Sequence, residues 1–293
     1  YRAATGGLTG WLASGQGADL MLSGFGFGES GGPLQFNHPR GIASDGTRLY
    51  VSDGHNNRVL AWLRAPDGNT APDFALGQVT LNANVPGTGL HQMNWPGQVS
   101  VAPNGTVVVA DTYNDRLLVW REAPVRSGQP ADYEIRHSSL RWPWGVWTDG
   151  TRLVASSTGG RAILVWSAFP AVGSTPPDFT LADPAIGTPR TITSDGNFLM
   201  VGDHNANGNE AGNWVWKTFP TAARRYDYFL REPSDANGPW MQGGVNADGR
   251  LVVLGRYLNI WNGIPDTAAT PPALIVDGYS YRGGDGSGVA FAL

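Results

Sequence analysis

The sequence predicts an all-β chain: one six-bladed β-propeller of four-stranded antiparallel blades, its last blade closed by both termini. Three observations lead there. A tryptophan followed four residues later by a proline recurs five times, at Trp62/Pro66, Trp120/Pro124, Trp166/Pro170, Trp216/Pro220 and Trp261/Pro265. A small turn stands upstream of each, at 44–48, 103–106, 148–151, 194–197 and 247–250, built on Asp-Gly or Asn-Gly. The 41 glycines and 21 prolines follow no period and accompany 11% aromatic residues, which suits a turn-rich β fold and not a disordered or collagen-like chain.

The units follow one another as a single domain over 1–293, with blades at about 36–80, 93–135, 138–182, 186–230 and 238–277. Each reads as four strands. The first follows a proline, as in PRGIAS, PWGVWT and PRTITS. The second (LYVSD, VVVAD, LVASS, LMVGD, LVVLG) and the third, which ends on the tryptophan, are nearly continuous apolar runs. Strands covered on both faces have that composition, and a blade lies between two neighbours. The fourth begins 12 or 13 residues beyond the tryptophan, at Phe74, Tyr133, Phe179, Tyr228 and Leu274, with Asp just before it in the first four. Two fragments remain. GVAFAL at 288–293 has the pattern of a first strand, and 10–24 that of a third and fourth strand, with Trp11 and Asp19 in register. Joined, 285–293 and 1–24 make a sixth blade and leave no open sheet edge.

PRGIASDGTRLYVSDGHNNRVLAW (39–62) and NGTVVVADTYNDRLLVW (104–120) resemble the NHL repeat family, with its P-x-G start, V-x-D strand end and N-x-R strand start. The third unit departs from the pattern with Ser156 in place of Asp, the fourth carries extra residues, and the fifth lacks the Asp and the Arg. The resemblance implies the fold and leaves the activity open. Six-bladed lyases of similar plan place zinc-binding histidines just after the first-strand proline. None stands there here, the five histidines being at 38, 55, 91, 137 and 204. Calcium-dependent lactonases of similar plan draw on acidic and amide ligands that leave little trace in sequence.

The repeated tryptophans are read as packing between blades. Asp53–Arg58, Asp111–Arg116 and the matching Ser156–Arg161 share a five-residue spacing, read as a local bond that shapes the hairpin. The position after the first-strand proline varies: Arg40, Gly97, Trp144, Arg190 and Trp240. Arg40, Trp144, Arg190 and Trp240 are the candidate ligand residues, expected near the channel mouth. Guanidiniums and indoles suit an anionic or aromatic group or a sugar acid, and the same set equally makes a plug held by cation–π contacts. Asp203, Asn205 and Asn207, with Gly208, match the opening of a calcium loop and make Ca2+ the one candidate cofactor, although the twelfth position is Trp214 and not glutamate.

A net charge of −4 without a basic cluster argues against nucleic acid, and no apolar run reaches the ~20 residues of a membrane span. Cysteine is absent, so disulfides and thiolate chemistry are excluded. A start at Tyr1 without an apolar leader is read as a mature extracellular or periplasmic chain. The expected role is a binding or scaffold propeller that engages a small molecule, glycan or protein on one face, with a metal-dependent lactonase- or lyase-like enzyme as the alternative.

Overall fold

The computed structural model describes residues 22, 32–33, 35–231, 242–245, 249–254 and 258–276, side chains excluded at 242–245 and 254. Among these, five four-stranded antiparallel sheets form, each with its strands in chain order. The first comprises Pro39–Ser44, Leu49–Asp53, Arg58–Trp62 and Phe74–Leu76. The others start at Pro96–Val101, Pro143–Thr148, Pro189–Thr193 and Gln242–Val245. These first strands pack one against the next, which makes them the inner wall of a propeller. The described residues therefore give five blades where the sequence predicts six. The expected sixth, from 285–293 with 1–24, lies outside them apart from Leu22, as does Trp240.

The turns explain the Asp-Gly signal. Asp45 Oδ1 accepts the backbone N–H of Thr47 (3.0 Å) and Arg48 (2.7 Å), and Asp149 Oδ1 those of Thr151 and Arg152. The glycine that follows takes φ near +86° in both hairpins, where a side chain is strained.

The tryptophan repeat is structural, as the sequence predicts. Trp120, Trp166, Trp216 and Trp261 each pack on the blade before them. Each indole N–H donates to a carbonyl in the loop to the fourth strand, at Gln129, Thr175, Arg224 and Thr270, and Trp62 does likewise to Thr70. The Asp before the fourth strand complements this bond. Asp73, Asp132, Asp178 and Asp227 accept the N–H of the residue after the tryptophan at 2.6–2.7 Å. Asp and Trp thus fasten one loop at two points.

The Asp–Arg pairs fasten the opposite face. Asp111 Oδ1 accepts the N–H of Asn94, and its Oδ2 accepts from Asn114 and Arg116 Nε (2.7 Å). Arg116 reaches on to the carbonyls of Thr88, Gly89 and Gln92 in the inter-blade loop. Asp53 and Arg58 repeat the arrangement in the first blade. The third blade corrects the sequence alignment by one residue. Pro143 pairs with Ser157, not Ser156, and Ser157 stands opposite Ala162. Ser157 Oγ accepts the N–H of Arg141, the duty of the missing Asp, while Ser156 Oγ donates to the Arg190 carbonyl.

Inner strands leave one edge facing the channel, with its N–H and C=O groups unpaired by a ladder. Gln98 serves three of these groups from across the channel. Its Nε2 donates to Ile192 O (2.9 Å), and its Oε1 accepts from Val146 N (3.2 Å) and Ile192 N (3.0 Å). One amide therefore ties together the second, third and fourth blades. Gln98→Leu is expected to destabilise the fold by about 1–3 kcal/mol, read as a lower urea midpoint, because buried backbone groups lose their partner. An unchanged midpoint would show that water replaces the amide without loss.

Candidate functional site

In the first four blades the residue just before the first-strand proline heads the inner wall. In three blades it is aromatic and left-handed: His38 at φ 54°, Trp95 at φ 58° and Trp142 at φ 50°. A bulky residue with positive φ stores strain, and such strain concentrates where function needs a fixed side chain. The structure holds it from two sides. The preceding N–H is fixed by the carboxylate or hydroxyl at the end of the second strand, from Asn37 to Asp53, Asn94 to Asp111 and Arg141 to Ser157. The aromatic residue's own N–H is then taken by the previous blade, from Trp95 to Asn57 Oδ1 (2.8 Å) and from Trp142 to Asp115 Oδ1.

These residues meet the tips of the neighbouring hairpins in one aromatic array. His38 stacks on His55 with centroids 3.9 Å apart, and His55 on Trp95 at 5.7 Å. Trp95 stacks on Tyr113 at 4.5 Å and on Trp142 at 5.5 Å, and all four pairs lie within 30° of parallel. His55 and Tyr113 are exposed, Tyr113 at 53%, and His38, Trp95 and Trp142 are half-buried. Such pairs add about 0.5–1.5 kcal/mol each beyond their buried area, so the array is rigid.

Arg40, Trp144 and Arg190 do converge, but one layer beneath this surface. They are 6%, 1% and 8% exposed. Two guanidinium carbons lie over the Trp144 ring, Arg40 at 4.4 Å and Arg190 at 3.9 Å from its centroid. Arg40 also sits 3.8 Å over Trp95 and bonds His55 Nε2 at 3.2 Å, and Arg190 lies 5.0 Å from Trp142. Gly97 makes this possible. A side chain at that position would meet the Trp144 carbonyl at 2.4 Å, so the second blade contributes none. The expected mouth residues are thus a cationic and aromatic foundation for rings the sequence reading passed over. The signal was one residue upstream, in the strings HPR, WPG and WPW.

The calcium expectation meets a different use of Asp203. Its buried carboxylate accepts four N–H groups, from Gly187, Thr188, Asn205 and the Trp214 indole, at 2.8–3.0 Å. Asn207 turns away to Glu210 Oε2 (2.7 Å), and its φ of 51° makes the hairpin tip. The structure therefore brings Asp203, Asn205 and Asn207 into one hairpin but not into one set of oxygen ligands. Among the described residues, no three His, Asp or Glu side chains gather as a metal set, and no helix is long and apolar enough to cross a membrane.

No protein-family model and no curated protein matches the chain. Solved structures similar to the chain include virginiamycin B lyase from Staphylococcus aureus, at 16% identity and a TM-score of 0.48 over 76% of this chain, and a nidogen/laminin complex, at 14% and 0.49 over 82%. The matched region spans 66% of that lyase chain and 80% of the nidogen/laminin chain. The β-propeller of four-stranded antiparallel blades is established by the chain's own strand pairing and by the packing of its first strands.

Proposed function

We propose that this chain is a secreted or periplasmic binding propeller whose working surface is the aromatic array His38, His55, Trp95, Tyr113 and Trp142. Arg40, Trp144 and Arg190 set that surface from below, and Trp240 is assigned to the same mouth by its place in the repeat. The observation that carries the reading is the trio of aromatic residues held at positive φ, since packing alone is satisfied by residues that need no strain. The ring is proposed to close as six blades. In support, the faces of the first and fifth blades that turn away from their described neighbours are apolar and buried, with Leu22 packed on the first.

Fluorine NMR of protein labelled with 5-fluorotryptophan tests the reading. Titration with pooled oligosaccharides and small aromatic acids is expected to move the Trp95 and Trp142 resonances and leave framework Trp120 and Trp166 in place. Tyr113→Ala is expected to weaken any such ligand about tenfold, the worth of one stacking contact. Ligands that move only other resonances would place the site elsewhere.

A further inference from the structure

A cleft of about 420 Å³ adjoins the array, lined by Asp115, Arg136, His137, Ser138, Leu140 and Arg141. Two of its residues are joined to the array through the chain. Asp115 ends the Thr112–Asn114 turn that presents Tyr113, and Arg141 directly precedes Trp142. Arg136 braces that turn by donating to Asn114 O (2.6 Å) while it pairs with Glu134 at 2.7 Å. Asp115, the one acid in the lining, already accepts the Trp142 N–H. His137, also in the lining, accepts the Ser139 N–H at Nδ1 (3.1 Å). Arg141 is exposed, and among the described residues its guanidinium takes part in no ion pair or hydrogen bond.

The cleft therefore offers a fork-shaped cation and an imidazole next to the turn that carries Tyr113. Tyr113 stacks on Trp95 at 4.5 Å and lies 6.2 Å from Trp142, yet half its surface remains exposed. A flat aromatic face suits a flat ring, and a guanidinium beside it suits a carboxylate bound through two oxygens. The residues lining the cleft come from a loop and a turn, so no strand edge is offered to an extended peptide.

We infer that array and cleft together form the site of an acidic oligosaccharide: one pyranose stacks on Tyr113 and a carboxylate of the same chain pairs with Arg141, with His137 beside it. This rests on the binding reading above and adds the ligand class. Calorimetry with tetragalacturonate and with its methyl ester, at low and at physiological salt, tests it. Wild-type protein is expected to bind the acid about tenfold or more tightly than the ester, with the margin shrinking as salt rises. Arg141→Met should abolish that margin and leave the ester unaffected, and Tyr113→Ala should weaken both ligands alike. Arg141 is exposed, so Arg141→Met should melt with the wild type, and Tyr113→Ala should melt lower only by the loss of its ring stacking.

Equal binding of acid and ester, unmoved by Arg141→Met, would overturn the acidic class and leave the aromatic surface standing. Acid binding that depends on Arg141 but ignores Tyr113 and moves neither the Trp95 nor the Trp142 fluorine resonance would overturn the joint site and count against the surface as well. If neither sugar binds, the ligand class falls, and the fluorine titration alone decides on the surface.

Discussion

Replacing Arg116 with methionine is expected to destabilise the chain by about 3–5 kcal/mol, because it strands a buried carboxylate. Asp111 and Arg116 are both almost wholly inaccessible, and their 2.7 Å contact joins the second hairpin to the preceding inter-blade loop. Burial already pushes the Asp111 carboxyl above its ordinary range, against the bonds from Asn114, Asn94 and Arg116. Losing the guanidinium raises it further. A folded-state value above the unfolded one means the fold favours the protonated acid. Stability of the variant is then retained at low pH and lost as pH rises through the folded value. The deficit against wild type should therefore be largest at neutral pH and narrow toward the carboxylate range, as urea unfolding at several pH values would show. A deficit that is constant across pH would mean the loss is one of packing and not of charge. The double variant Asp111→Leu/Arg116→Met should recover much of the loss, since it leaves neither charge without its partner.

Gly145→Ala is expected to be the next most damaging change. A Cβ there would lie 2.0 Å from the Arg190 carbonyl oxygen, a backbone atom that yields only if the third and fourth inner strands separate. Overpacking of that kind costs about 1–3 kcal/mol or more. It should also show at the mouth. Arg190 is a cation over the Trp144 ring, and Ser156 Oγ, which accepts the Gly145 N–H at 2.7 Å, also bonds the Arg190 carbonyl. The fluorine resonances of Trp142 and Trp144 should shift even without ligand, while that of Trp62 stays fixed. Gly68→Ala, where the nearest atom to a new Cβ is 4.0 Å away, is the matched control. Equal melting temperatures for the two variants would show that the inner strands part freely.

The sequence by itself determined the blade. Apolar runs, Asp-Gly turns and the spaced tryptophans are local requirements that each unit meets alone, so they survive in the string and mark strands to within a few residues. It also determined that the Asp–Arg spacing is a hairpin device, because five residues suffice to bring those groups together across one turn. Three-dimensional packing decided the rest. That Asp203 gives its oxygens to N–H groups of a loop 16 residues earlier and to Trp214 is a matter of folded proximity. That Arg40 and Arg190, 150 residues apart in the chain, close on one indole depends on a ring bringing the first and fourth blades to a common axis. The depth of a side chain below that ring's mouth turns, in three blades, on a single left-handed residue before the proline, and a backbone angle is set by the neighbouring blade's hydrogen bonds, which no stretch of sequence contains.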